Sequence, residues 1–185
     1  MIDGPVRQVV LSFALLAAVV CSLAAAPGPD GLFGAFLAAL MLAIAIIDSR
    51  RYIIPNELTG AAVVLALLRA RAVGPEADLY AVVWAALKAT AIAVPFLMLM
   101  IGYRRWRGRD GLGLGDVKLA AVAGAWLGFV TIFAVIELAA LSALGAYVVN
   151  GYLRKHPLKA TAFLPFGLFL APAIWIGWLV EALLI

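Results

Sequence analysis

The chain alternates between long apolar runs and short polar breaks. The breaks contain turn-forming residues, such as Pro27-Gly28-Pro29-Asp30 and Gly74-Pro75. Each run predicts a helix, at approximately residues 8–26, 30–47, 57–73, 79–103, 116–128, 130–152 and 163–184. The division near residue 129 is open, because residues 117–152 could form one helix. Such a helix would far exceed the thickness of a bilayer, which favours two.

The composition places these helices in a membrane. Of the 185 residues, 66% are hydrophobic and only 13% are charged, which is too little polar surface for a soluble domain. We therefore predict an all-α, polytopic transmembrane helical bundle with six or seven membrane segments. Residues 1–185 are expected to form one integral-membrane domain, in which the first span, within residues 1–30, lies peripheral to the catalytic core.

The basic residues predict the orientation. Lysine and arginine are enriched in cytoplasmic loops, and ten of the fourteen follow the N-terminus or the second, fourth and sixth runs. The N-terminus is therefore predicted to be cytoplasmic and the C-terminus to be outside. The ten are Arg7, Arg50, Arg51, Arg104, Arg105, Arg107, Arg109, Arg154, Lys155 and Lys159.

Two aspartates lie at the predicted cytoplasmic ends of apolar runs. Asp48 ends the second run and Asp116 begins the fifth, and ionisable groups at membrane depth are functional candidates. Two neighbouring carboxyls share a proton, so that one can activate water while the other protonates a carbonyl oxygen. Structural alternatives remain for each: Asp116 could cap its helix, and Asp48 could pair with Arg50 or Arg51.

The segment GLGLGD, residues 111–116, places three glycines before the second aspartate. Gly111, Gly113 and Gly115 are expected to allow close approach of the backbone and positive φ angles. Before the third run, Asn56 is predicted to be an N-cap, preceded by Pro55. No nucleotide-binding glycine motif and no metal-ligand cluster can be read, so no cofactor or metal is expected.

These residues resemble the type IV prepilin peptidases, aspartyl proteases with a G-x-G-D signature. Gly113 to Asp116 give that signature and continue with Val117-Lys118-Leu119. Asp48 stands before Ile54-Pro55-Asn56 as the family's other aspartate does, and "LPFGLFLAPA", residues 164–173, is similar to the segment that opens the family's last helix. This third match includes Pro165, Phe166 and Gly167. The resemblance covers approximately residues 38–180.

The resemblance implies that Asp48 and Asp116 cleave a short basic leader from prepilins or pseudopilins at the cytoplasmic membrane face. It assigns supporting or substrate-binding roles to Gly113, Gly115, Lys118, Pro55, Asn56, Pro165, Phe166 and Gly167. The implied partners are prepilins entering as membrane helices, the lipid bilayer of the bacterial inner membrane and pilus assembly machinery. No nucleic-acid partner is expected.

The chain departs from the family's larger members. Those carry an insertion with two cysteine pairs that is associated with N-methylation, whereas this chain has one cysteine, Cys21. We therefore expect no N-methyltransferase activity. The short build is similar to that of the peptidases that serve Flp-type (tight adherence) pili. Leu168 stands where the family often has proline.

Several further residues carry weaker expectations. Lys118 could orient Asp116 or extend to lipid headgroups, and Asp110 and Glu57 could contact a basic leader or simply be solvated. The small residues Ala120, Gly124 and Gly128 are expected to pack the Asp116 helix against the Asp48 helix. Lys88 and Glu137, at a common depth, predict an ion pair within the membrane. Cys21 is expected to be a packing residue and His156 to be solvated.

Two other functions are compatible with the same residues. A small transporter or channel subunit could use Asp48 and Asp116 in a proton path. An assembly subunit of a secretion machine would need neither carboxyl. Cleavage of a prepilin by the wild type and its loss in Asp→Asn variants separates the peptidase from both.

Overall fold

The computed structural model describes residues 4–73, 78–108, 111–154 and 165–184. Seven α-helices and no strand lie within these ranges, which confirms the helical prediction. The helices are α1 (Gly4–Ala25), α2 (Pro29–Arg51), α3 (Asn56–Ala72), α4 (Leu79–Arg107), α5 (Leu114–Trp126), α6 (Phe129–Arg154) and α7 (Gly167–Leu184). The helical conformation is interrupted at Leu127-Gly128, so residues 117–152 lie in two helices, α5 and α6.

Five of the helices, α1, α2, α4, α6 and α7, are long and apolar enough to cross a membrane. With 17 and 13 residues, α3 and α5 are shorter than the roughly 20 residues of a typical span. The described part of the chain is thus that of a helical membrane protein. The predicted number of spans and their orientation stay predictions.

Helix α5 lies at the centre of the bundle and packs against α3, α4 and α7. From Val122 to Leu127 every residue is buried. Helix α2 packs against α1, α3 and α7, and α6 packs chiefly against α7. Close packing of α2 on α7 requires Gly34, because a Cβ at this position would clash with the ring of Trp178.

The structure corrects the prediction for the small residues of α5. Gly124 faces α4, where an added Cβ would lie 2.7 Å from the carbonyl oxygen of Lys88 and 2.9 Å from the Cα of Ala89. Helices α2 and α5 do not pack against each other within the described ranges. Gly124 therefore brings the Asp116 helix against α4, and not against the Asp48 helix; Gly128 instead lies beside Glu181 of α7.

The predicted Lys88–Glu137 ion pair is also wrong. Helices α4 and α6 make no packing contact in the described part of the chain. Lys88 instead donates a hydrogen bond to the carbonyl of Leu127 (2.8 Å), and Glu137 is exposed on α6. The expectation that Cys21 is a packing residue fails as well, because its side chain is exposed on α1.

Candidate active site

Asp48 lies in the last turn of α2 and is 5% exposed. One of its carboxylate oxygens, Oδ2, accepts a hydrogen bond from the backbone N–H of Leu168 (3.0 Å) in the first turn of α7. Arg50 and Arg51 are exposed. Asp48 is therefore directed to the N-terminus of α7, and the alternative in which it pairs with these arginines is not what the structure shows.

The segment Pro165-Phe166-Gly167 forms the turn that presents this N–H to Asp48. The N–H of Leu168 lies 3.2 Å from the carbonyl oxygen of Pro165, and Phe166 packs against the core. At Gly167 an added Cβ would lie 2.9 Å from Oδ2 of Asp48. Any side chain at this position would displace the carboxylate, so the site requires glycine here.

Asp116 lies in the first turn of α5, with its carboxylate half-buried. Its Oδ2 accepts a hydrogen bond from the N–H of Gly113 (3.1 Å), which is the N-cap of the helix. The structural alternative for Asp116 is thus partly realised, because it closes a capping box. This contact occupies one of its two oxygens.

The surroundings of Asp116 change its proton affinity. Helix α5 is not among the described helices that are long and apolar enough to cross a membrane. The pKa of Asp116 is raised to about 6, chiefly by burial; the N–H of Gly113 opposes this increase and the Asp48 carboxyl adds to it. The negative charge of Asp48 therefore acts on the Asp116 carboxyl.

Ile54 fills the space between the helix ends that carry the site. It is 8% exposed. A Cβ on Gly115 would lie 2.9 Å from the Cβ of Ile54, and a Cβ on Gly167 would lie 2.8 Å from its Cδ1. The N-termini of α5 and α7 thus both pack against the side chain of Ile54. Ile54 belongs to the sequence motif, but its role as a spacer between the two helices was not predicted from the sequence.

The glycines before Asp116 serve close approach and not positive φ. A Cβ on Gly111 would lie 2.6 Å from the ring of Tyr103 on α4, and Gly113 has a φ of −79°. Within the described ranges, the glycines with positive φ are Gly28 and Gly108. The expectation of positive φ at Gly111, Gly113 and Gly115 was therefore wrong, and that of close approach is confirmed at Gly111 and Gly115.

Lys118 joins α5 to α3. Its ammonium group donates a hydrogen bond to the side-chain oxygen of Asn56, so it contacts α3 and not the Asp116 carboxylate. Asn56 is the first residue of the helix and Pro55 is the N-cap, with no side-chain capping bond. The prediction that Asn56 caps α3 was thus wrong, and its side chain instead receives Lys118.

The remaining candidates give the site no further chemistry. Glu57 is exposed in the first turn of α3, and Asp110 and His156 lie outside the described residues. In the described ranges, no group of three or more His, Cys, Asp or Glu side chains could hold a metal ion. The arrangement leaves two carboxyls, one half-buried and one buried, beside backbone N–H groups.

Comparison with known proteins identifies similar chains. The profile of the Type IV leader peptidase family matches residues 35–149. The Leader peptidase HopD of Escherichia coli is 45% identical over 85 residues, which are 45% of this chain and 54% of that protein. No solved structure matches the chain.

Two relatives named prepilin leader peptidase/N-methyltransferase match over longer ranges. That of Xanthomonas campestris pv. campestris is 32% identical over 146 residues, covering 78% of this chain and 48% of the relative. That of Escherichia coli strain K12 is 30% identical over 173 residues, covering 91% of this chain and 73% of the relative. The chain spans about half the length of HopD and of the Xanthomonas protein.

Proposed function

Because the chain belongs to the type IV leader peptidase family, we propose that it is an aspartyl endopeptidase that removes the short basic leader of type IV prepilins or pseudopilins. Asp48 and Asp116 are its catalytic residues. The reaction takes place at the cytoplasmic face of the bacterial inner membrane, which the substrate enters as an apolar helix. Family membership does not favour the transporter alternative.

The observation that carries this proposal is the approach of the two carboxyls at helix ends that close on Ile54. The like charge of Asp48 adds to the burial that raises the pKa of Asp116. One carboxylate beside one carboxylic acid is the form suited to acid–base hydrolysis.

Hydrolysis by such a pair is balanced in protons. The carboxylate takes a proton from water, whose oxygen bonds to the scissile carbonyl carbon, while the carboxylic acid gives its proton to the carbonyl oxygen. The diol then collapses: one of its hydroxyl groups gives its proton to the carboxylate as the C=O bond re-forms, the C–N bond breaks, and the leaving nitrogen takes a proton from the carboxylic acid. The pair ends with one proton, as it began.

Coexpression of the protein with a prepilin tests the proposal. Asp48→Asn and Asp116→Asn, made separately, should each abolish leader removal, because an amide can neither accept nor donate the required proton. Asp78→Asn is the matched control. Asp78 caps α4 by accepting from the N–H of Ala81 (3.0 Å), and asparagine can cap equally well. Processing by either active-site variant at the wild-type rate would exclude the mechanism.

We propose in addition that the chain cleaves without methylating. The support is its single cysteine, since the methylating members that it resembles carry two cysteine pairs. Mass spectrometry of the processed pilin gives both the bond that is cut and the mass of the new N-terminus. A methylated N-terminus produced by the purified protein with a methyl donor would contradict this part of the proposal.

A further inference from the structure

Three consecutive residues at the end of α5 are bonded to three different helices. The indole N–H of Trp126 donates to the carbonyl of Ala62 on α3 (2.9 Å). The carbonyl of Leu127 accepts from the Lys88 ammonium on α4 (2.8 Å). The N–H of Gly128 donates to Oε1 of Glu181 on α7 (2.8 Å). We call these three bonds the α5 anchor.

Two of the three bonds use charged side chains from within spanning helices. Lys88 and Glu181 are both half-buried and lie in α4 and α7. Charged groups at such positions are costly unless they are paired or hydrogen-bonded. Lys88 and Glu181 each form a hydrogen bond with a backbone group of the α5–α6 junction that has no partner within α5. The two charged side chains therefore satisfy the backbone groups that are left unpaired where the helix is interrupted.

The anchor adds to the side-chain packing that holds α5 in place. At Gly124 the helix meets α4 backbone to backbone, and Ala120 and Ala123 are small and fully buried. Small residues allow close approach, but at these positions no large side chain protrudes to oppose sliding along the helix axis. A bond to each of three neighbours opposes that movement.

Because α5 is a continuous helix, a shift of its C-terminal end along the axis also shifts its N-terminal end. Trp126 is about 15 Å along the axis from Asp116 at the standard rise per residue, and the helix between them is unbroken. Glu181 also lies on the helix whose first turn bonds Asp48. The Glu181 bond therefore ties the helix that carries Asp116 to the helix that holds Asp48.

We propose that Lys88 and Glu181 are positioning residues, which set the depth of Asp116 relative to Asp48 by fixing the junction at Leu127-Gly128. The inference rests on the proposed peptidase function. Neither side chain touches the reacting atoms.

The test compares variants that keep the hydrogen bonds of the α5 anchor with variants that remove them. Lys88→Met combined with Glu181→Leu removes both bonds and both charges. Because a displacement of about 1 Å can cost about 100-fold in rate, we expect a kcat loss of that order, with KM changed by less than about twofold. Lys88→Arg keeps a donor and Glu181→Gln keeps an acceptor, so each should retain a kcat within about threefold of wild type.

Two controls make the result specific. Glu137→Gln removes an exposed charge from α6 and should leave kcat and KM unchanged. Should the double variant fail to accumulate, Glu181→Gln and Glu181→Leu decide the matter, since both are neutral but only glutamine can accept from Gly128. Equal kcat values in this pair, or a folded double variant with the wild-type kcat, would overturn the proposal.

The assay separates this inference from the proposed function. Failure of the wild type to cleave a prepilin would refute the peptidase itself. Cleavage by the wild type together with an anchor-free variant of unchanged kcat refutes only the positioning role.

Discussion

At the scale of single residues, Asp116 combines a structural and a proposed chemical role. One oxygen closes the capping box at Gly113, while burial and Asp48 raise the pKa of its carboxyl to about 6. A carboxyl that served only as a cap would gain from ionisation, because helix N-termini favour negative charge. Burial of this carboxyl is therefore a cost to the fold when Asp116 is ionised, and such a cost is expected of a residue with the proposed catalytic role.

The raised pKa of Asp116 predicts how the free energy of unfolding changes with pH. The ordinary pKa of Asp116 is 3.8 and that in the folded protein is about 6, so the folded state binds the proton more tightly. The resulting stability is fully present below pH 3.8 and is lost as pH rises through about 6. We expect this carboxyl to make the free energy of unfolding about 1 kcal/mol larger at pH 5 than at pH 7.

Denaturant unfolding in detergent micelles at the two pH values measures this difference. Asp116→Asn should remove that component, whereas Asp78→Asn should retain it. An equal pH dependence in the wild type and Asp116→Asn would contradict the raised pKa.

Single residues were predictable from the sequence where a motif fixes them, and not where packing does. Asp48 and Asp116 stand out because a carboxylate is expensive beside an apolar run. The bond from Lys118 to Asn56 was not predictable, since a long flexible ammonium side chain can reach many acceptors. The local sequence does not indicate that the first turns of α3 and α5 lie side by side.

At the scale of helices, the closing of α5 and α7 on Ile54 is the feature on which the site depends. Both helices place a glycine against this side chain, at Gly115 and Gly167. A larger residue at either position would push the helix ends apart and widen the gap between the carboxyls.

Substitution by alanine tests this arrangement. We expect Gly115→Ala and Gly167→Ala to lower kcat by between about 10-fold and 100-fold, because displacement of catalytic groups by about 1 Å has effects of this size. Gly60→Ala is the control, since a Cβ there meets nothing within 4 Å. Alanine favours a helix interior over glycine by about 1 kcal/mol, so a loss of activity at Gly115 would arise from the contact with Ile54. Wild-type kcat in both site variants would contradict the role of Ile54 as a spacer.

The helices themselves were predictable from the sequence, but their partners were not. The apolar runs and turn residues gave all seven elements, and the structure extends the fourth run to Arg107, before Gly108 ends α4 in the left-handed region with φ of 65°. Small residues on α5 indicated a close neighbour without identifying α4. Lys88 was matched in depth with Glu137, because the packing of both α4 and α7 on α5, which brings Lys88 and Glu181 to the same junction, could not be read from the sequence.

At the scale of the whole molecule, the two ends of the bundle carry different polar groups. One end carries Asp48, Asp116 and the bond between Lys118 and Asn56. Towards the other end lies the ion pair of Asp30 with Arg69 (2.5 Å), whose guanidinium group lies 5.5 Å from the ring centroid of Trp126. Trp126 belongs to the α5 anchor, so the two ends are connected through the enclosed helix.

This division predicts a definite topology, which cysteine labelling can test. In a Cys21→Ala background, Ser49→Cys and Leu114→Cys place exposed thiols beside the two aspartates, and Tyr80→Cys places one near the start of α4. Since basic residues flank the aspartates, that side should face the cytoplasm. An impermeant maleimide should then label Tyr80→Cys in spheroplasts, and label the other two only after the inner membrane is opened. Labelling of positions 49 and 114 from opposite sides would separate the carboxyls and exclude a shared catalytic proton, whatever the fold of the individual helices.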